Sequence, residues 1–281
     1  MNRTAHVYLF SVAWTVSLMI ASVRPAGAML VTVDAETRVL YRIDPETAAV
    51  TRIGHTELDE EDVIAGLAYD PVRDTLYATT TQTDKLYSID YTTGKATLIG
   101  DLGASLMHGL AYDPCTARLL GTFGESKGDG LYSIDVTTGA ATLIGHIGYF
   151  HEDRQNTVHG LAVHPETHAL YGIAAGPASD WSTLIEIDKE TAQGTWISQQ
   201  SPHFSGLAFD VETKVLYGID NWTSNLYMID IRTGATTLIG STGLDNPLGL
   251  EDIVIIPEPA TVGLLAIGIL ALRRKAAKGG S

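Results

Sequence analysis

The chain has 281 residues, 45% of them apolar, and a formal net charge of −15. This length accommodates one large domain or two small ones with a buried core. Residues 29–256 carry 12 Lys and Arg against 32 Asp and Glu, a net charge of −20 that repels nucleic acid and anionic lipid and argues against a nucleic-acid function. The single cysteine, Cys115, excludes an internal disulfide and falls in a predicted turn.

The N-terminus has the features of a secretory signal peptide. Arg3 is followed by an apolar stretch from Val7 to Ala21, and then by the small residues Ala26-Gly27-Ala28. This order of charge, apolar core and small residues predicts export and cleavage by signal peptidase, so that residues 1–28 form a separate segment. A retained N-terminal anchor is the alternative interpretation.

The central part of the chain consists of repeats. Stretches that begin with "GLA" start at Gly66, Gly109, Gly160 and Gly206, at spacings of 43–51 residues. Each repeat divides into four short strands separated by Asp-Pro, Thr-Gly and variable turns, with no helical periodicity. Four strands per repeat of this length predict the blades of a β-propeller.

The two ends of the repeat array complement each other. Residues 29–54 supply the second, third and fourth strands of a repeat, whereas "LGLEDIVII" at residues 248–256 supplies a lone first strand. We therefore predict an all-β, five-bladed propeller over residues 29–256, in which the C-terminal strand completes the N-terminal blade. A ring completed by a partner chain is the alternative. Glu251 and Asp252 stand in this closing strand where other repeats read "GLAYD" or "GLAFD".

The turn pattern D-x-x-T-G resembles the repeat of quinoprotein dehydrogenases, which have a tryptophan four residues after the glycine. Here that position holds Leu98, Leu143 and Leu238, and a tryptophan only at Trp196. The resemblance covers the repeat pattern alone, and no quinone or other cofactor is expected from it.

The C-terminal stretch "PEPATVGLLAIGILALRRK" resembles a PEP-CTERM sorting signal. Its apolar part, residues 260–272, would span about 20 Å as a helix, which is short of the ~30 Å hydrocarbon core. The basic residues keep the C-terminus on the cytoplasmic side. The residues that carry the resemblance are Pro257, Glu258, Pro259, Arg273, Arg274 and Lys275.

This resemblance implies a destination for the protein. An exosortase would recognise the signal at residues 257–281 and cleave the chain near the Pro-Glu-Pro motif. Such signals belong to Gram-negative bacteria that make extracellular polysaccharide. The mature protein would then reach the cell surface or the biofilm matrix. An uncut C-terminal anchor is the alternative, and both interpretations make the protein exported and at least transiently bound to the membrane.

Loops that join strand four to the next strand one, and strand two to strand three, meet on one face of a propeller, where we expect a ligand. His108 and His159 occupy the same repeat position and are expected to point toward the channel from adjacent blades. Neutral imidazoles near carboxylates can bind a metal, but without tight ligand spacing we expect ordinary polar histidines and no metal. Exposed tryptophans in these loops would suit sugars, with buried loop anchors as the alternative. The candidate ligand face comprises His108, His151, His159, His203, Trp181 and Trp222.

The sequence contains no G-x-S-x-G, H-E-x-x-H or phosphate-binding glycine motif, and no catalytic residue is assigned. The leading hypothesis is a non-enzymatic surface or matrix protein that binds or scaffolds exopolysaccharide or surface proteins. The alternative is an exported hydrolase or lyase of glycans or peptides that uses histidine and acidic residues on the ligand face.

Overall fold

The computed structural model describes residues 29–105, 107–124, 129–148, 157–175, 181–200, 202–244 and 250–257. These residues form five antiparallel sheets of four strands each. The five-bladed propeller predicted from the repeats is therefore confirmed. The predicted signal peptide, the apolar C-terminal segment and most of the sorting motif lie outside the described residues.

Blade 1 contains β20 (Leu250–Ile256), β1 (Met29–Asp34), β2 (Val39–Ile43) and β3 (Val50–His55). Blade 2 contains β4 (Ile64–Asp70), β5 (Thr75–Thr80), β6 (Lys85–Ile89) and β7 (Ala96–Asp101). Blade 3 contains β8 (Met107–Asp113), β9 (Arg118–Phe123), β10 (Gly130–Ile134) and β11 (Ala141–His146). Blade 4 contains β12 (Thr157–Val163), β13 (Leu170–Ala175), β14 (Ser182–Ile187) and β15 (Gly194–Gln200). Blade 5 contains β16 (Phe204–Phe209), β17 (Leu216–Asp220), β18 (Asn225–Ile229) and β19 (Thr236–Ser241).

The turns between strands are built on side-chain acceptors. In blade 2, one carboxylate oxygen of Asp90 accepts hydrogen bonds from the backbone N–H groups of Thr92 (2.8 Å) and Thr93 (3.3 Å). Such Asx turns hold the backbone without help from other parts of the chain. Blade 4 uses His164 at one of these positions, and its Nδ1 accepts from the N–H groups of Glu166 and Thr167, both at 3.2 Å. The imidazole there takes the place of the carboxylate.

Apolar side chains fill the spaces between adjacent blades. Between blades 2 and 3, Leu110 packs in one buried cluster with Ala68, Tyr77 and Leu86. Five such clusters occur around the ring. Strands such as β13, β16 and β17 are buried along their whole length, because side chains on both faces of a sheet pack against neighbouring blades.

Glycines allow the outermost strand of one blade to approach a turn of the next. A Cβ atom at Gly54 would overlap with the carbonyl oxygen of Thr93, and one at Gly100 would overlap with that of Thr138. A Cβ at Gly145 would lie 2.7 Å from the carbonyl oxygen of Thr191, closer than real side chains come. The glycine of "RIG" or "LIG" in one blade therefore meets a threonine carbonyl group of the next blade.

The ring is closed by the C-terminal strand. β20 pairs with β1, with Met29 opposite Ile256, and the hydroxyl of Thr32 donates to the carbonyl oxygen of Asp252 at 2.7 Å. The chain thus completes its own first blade, as the sequence predicts, without a strand from a partner. This closure leaves no blade with a missing inner strand.

The first strands approach each other closely around the channel at a ring of four glycines. A Cβ at Gly160 would lie 2.8 Å from the Cα of Gly206. In blade 1 this position holds Asp252, whose buried carboxylate accepts a hydrogen bond from the N–H of Leu67 in blade 2 at 2.9 Å. The closing blade is thereby joined to the next blade through a side chain. The four glycines are Gly66, Gly109, Gly160 and Gly206.

Candidate functional site

At the end of the channel where the first strands begin, three imidazoles from adjacent blades come together. The rings of His108 in blade 3 and His159 in blade 4 contact edge to face, with centroids 5.1 Å apart. The ring of His203, just before β16 in blade 5, lies 6.0 Å from that of His159. His108 and His159, predicted to point toward the channel from adjacent blades, therefore contact each other there. The first strands begin earlier than predicted, so both histidines lie within strands rather than in connectors.

A buried threonine sets the positions of these two histidines. The hydroxyl of Thr122 accepts a hydrogen bond from the N–H of Gly109 (2.9 Å) and donates to the carbonyl oxygen of Val158 (2.7 Å). Gly109 follows His108 and Val158 precedes His159, so one hydroxyl joins the two strand starts. The N–H of Val158 also donates to the carboxylate of Asp129.

Trp222 extends this row of rings to the surface. Its indole stacks on the imidazole of His203 with centroids 5.1 Å apart and an interplanar angle of 6°. The indole is 57% exposed, whereas His203 is buried. The turn that carries Trp222 is held because the Asp220 carboxylate accepts from the Trp222 N–H (2.9 Å) and the Asn221 N–H donates to the carbonyl oxygen of His203 (3.0 Å). We call His108, His159, His203 and Trp222 the histidine mouth.

Burial keeps two of these imidazoles neutral. It lowers the pKa of His108 from 6.5 to about 4. Burial also lowers the pKa of His159 to about 3, and the neighbouring His108 and His203 add to this shift because like charges would repel. Neutral imidazoles can accept or donate hydrogen bonds at physiological pH.

The remaining candidates do not all join this cluster. Trp181 is partly buried next to β14, and His151 lies outside the described residues. Of the sorting-signal residues, only Pro257 is described. The acidic stretch at residues 57–62 ends on Asp62, which is buried and accepts a hydrogen bond from the hydroxyl of Tyr87 at 2.8 Å.

No metal centre is found in the part of the chain that the structure describes. Within it, no group of three or more His, Cys, Asp or Glu side chains could hold a metal ion.

The opposite end of the channel, where the first strands end, has a different character. A cavity of about 300 Å³ opens there, and its walls come from apolar residues of all five first strands. We call this cavity the apolar mouth. Sequence reasoning did not identify it, although the repeated prolines were visible. Its rim consists of Pro71, Pro114, Pro165, Val211 and Pro257.

Comparisons with known proteins identify a C-terminal sorting motif and a repeat family. Residues 256–275 match the PEP-CTERM protein-sorting motif, and residues 6–144 match a family described as Repeat of unknown function (DUF6923). No curated protein sequence matches the chain. The sorting motif implies export, membrane anchoring by the C-terminal segment before processing, and processing by an exosortase. The described residues include no helix that is long and apolar enough to cross a membrane.

A solved structure shares the fold. One chain of "Crystal structure of Nidogen/Laminin Complex" aligns with a TM-score of 0.54 and 16% identity, over 82% of this chain and 98% of that chain. At this identity the similarity concerns the arrangement of the blades alone.

Proposed function

We propose that this protein is a non-enzymatic binding and scaffold module of the cell surface or extracellular matrix, which binds exopolysaccharide at the histidine mouth. The observation that carries the proposal is the exposed indole of Trp222, held flat on the buried ring of His203. A half-exposed aromatic ring in a fixed orientation is the usual platform for the apolar C–H face of a sugar.

The platform is prepared before a ligand arrives. Stacking on His203 and the Asp220 turn hold the indole, so little side-chain freedom is lost on binding. Asn221 precedes Trp222 in the chain; its side-chain carbonyl oxygen is buried, so its amide N–H₂ group is the part that can donate a hydrogen bond to a sugar hydroxyl. These features support recognition of a neutral, hydroxyl-rich ligand.

The chemistry of the histidines favours binding over catalysis. A general base works best when its pKa lies near the operating pH, and the pKa values of His108 (about 4) and His159 (about 3) lie far below neutrality. Among the residues that the structure describes, no hydrogen bond joins either imidazole to a side chain that could act as a nucleophile. We therefore favour the binding module over the exported hydrolase or lyase.

The test compares two tryptophans of matched exposure. Trp222→Ala removes the platform, whereas Trp196→Ala removes an indole that is 54% exposed on the outer strand β15. Binding of the full chain to a glycan array and to purified bacterial exopolysaccharide is measured for both variants. We expect the first variant to lose about tenfold in affinity, equivalent to ~1.4 kcal/mol, and the second to bind normally.

Three results would contradict the proposal. Equal losses in both variants would assign binding to nonspecific aromatic contacts. Absence of glycan binding by the unmodified protein would remove the polysaccharide role. Release of new sugar ends that stops on replacing His108 or His159 would establish the hydrolase or lyase instead.

A further inference from the structure

The apolar mouth lies at the opposite end of the channel from Trp222. Its volume of about 300 Å³ is at the lower end of the range for ligand pockets, so it suits one slender group. Equivalent residues of the five first strands form its wall, and proline or valine forms its rim at each blade. Pro71, Pro114 and Pro165 are the first residues of the turns that follow first strands, where the fixed φ of proline suits the start of a turn. The wall residues in equivalent positions are Leu67, Leu110, Leu161, Leu207 and Ile253.

Two buried carboxylates at the ends of first strands are already paired with basic side chains. The Asp70 carboxylate at the end of β4 contacts the Arg73 guanidinium at 2.7 Å, and Asp113 at the end of β8 contacts the Lys189 ammonium at 2.6 Å. The hydroxyl of Tyr69, a wall residue, donates to Asp74 at 2.6 Å. Binding a charged ligand there would require breaking one of these contacts, so the cavity favours an uncharged, apolar group.

The order of the sequence after the rim indicates which apolar group is at hand. Pro257 is a rim residue, and the apolar segment at residues 260–272 begins three residues further along the chain. Three residues extend at most about 10 Å. As long as this segment anchors the protein in a bilayer, this short tether links the rim to the membrane. Lipid acyl chains are then the apolar groups within reach. The net charge of −15 disfavours lipids with anionic headgroups.

We propose that the apolar mouth binds one acyl chain of a zwitterionic membrane phospholipid while the protein is anchored. The acyl chain displaces water from an apolar wall, which provides the driving force. The bound lipid adds a second membrane contact to the one made by the C-terminal segment, since two apolar attachments hold a protein at a membrane far better than one.

The test uses two exposed valines in equivalent turns. Val211 is 51% exposed on the rim, whereas Val72 is 76% exposed and does not line the cavity. The full chain, produced without exosortase, is reconstituted in phosphatidylcholine vesicles that contain a phosphatidylcholine with a diazirine in its acyl chain. Cross-linked peptides are then mapped by mass spectrometry. We expect labelling of the ends of the first strands, reduced at least about fivefold by Val211→Asp and unchanged by Val72→Asp.

Further controls separate the outcomes. Val211→Trp narrows the mouth without adding a charge and should reduce labelling as well, and thermal unfolding shows whether each variant folds. Equal labelling in the Val211 and Val72 variants, or no labelling of the propeller, would overturn the proposal. Labelling by a free diazirine fatty acid but not by the phospholipid would assign the cavity to a soluble ligand and overturn the bilayer source.

Discussion

Gly100 of blade 2 and Thr138 of blade 3 pack backbone against backbone, so that no side-chain atom fits between them. The same contact joins Gly54 to Thr93 at the preceding blade boundary. These contacts explain why glycine recurs near the end of the fourth strands, in "RIG" and "LIG". They stabilise the outer edge of the ring, whereas the buried apolar clusters between blades stabilise its middle.

Replacing Gly100 with alanine should weaken the boundary between blades 2 and 3. The new methyl group would overlap with a backbone carbonyl oxygen, which cannot move as a side chain does, and overpacking of this kind costs about 1–3 kcal/mol. Gly124→Ala is the matched control because its Cβ would meet nothing closer than 3.8 Å. Denaturant unfolding measures both, and equal stabilities would refute the close contact.

Asp252→Ala should destabilise the ring closure. It removes the acceptor for the N–H of Leu67 and leaves that buried donor without this partner, at a cost of about 1–3 kcal/mol. Asp252→Asn keeps one carbonyl oxygen and should lose less. Denaturant unfolding, and limited proteolysis of the paired strands β20 and β1, measure the stability of both variants. Equal stabilities of the Ala and Asn variants would contradict the prediction.

Asp62 should make the protein sensitive to acid. Its burial raises the pKa, but hydrogen bonds from Thr83, Tyr87 and Lys85 outweigh burial and hold the pKa below the usual 3.8. This stabilisation is present above the unfolded pKa and is lost as the pH falls through the lower folded value. Asp62→Asn should therefore flatten the loss of stability below about pH 4. Asp59→Asn, at an exposed carboxylate, is the control and should show the same loss of stability at low pH as the unmodified protein. Thermal unfolding at each pH measures both variants.

The histidine mouth should lose stability at milder acidity. Between pH 6.5 and about 4 the unfolded chain binds protons that His108 and His159 exclude in the folded state. Stability then falls with decreasing pH, by up to about 1.4 kcal/mol per pH unit for each such histidine. His159→Gln should reduce this slope between pH 6 and 4.5, both inside that window. An unchanged slope in urea unfolding would show that His159 is protonated in the fold.

The sorting motif should control release from the membrane. Glu258→Ala combined with Pro259→Ala leaves the rim residue Pro257 in place and should block processing by the exosortase. The full-length chain would then accumulate in the membrane fraction, as gel mobility and mass spectrometry would show. Pro71→Ala, at a rim proline outside the motif, should be processed normally. Normal processing of the double variant would point to a different signal.

The repeat pattern made most of the fold predictable. Strand identity, blade number and closure by residues 250–256 follow from self-similarity, because each repeat buries its apolar face only against its neighbours. The meeting of His108 and His159 was predictable for the same reason, since equivalent positions of adjacent blades are close in space.

Features that depend on non-equivalent positions could not be predicted. His203 and Trp222 belong to different loops of blade 5, and their parallel stacking depends on turn geometry that no repeat shares. The rim of the apolar mouth is not evident from the sequence, because the pattern around Pro257 indicates only a sorting signal. Its second role as the fifth rim residue appears only when the ring is closed.

The construction of blade 1 from both ends of the repeat array has a consequence for the timing of export. β1 leaves the export channel first among the strands, yet its inner partner β20 leaves last, immediately ahead of the sorting segment. Pairing at such large sequence separation is slow to form. The propeller can therefore complete its fold only after β20 has been exported, when the sorting segment reaches the membrane. Ring closure and recognition by the exosortase are thus coupled in time.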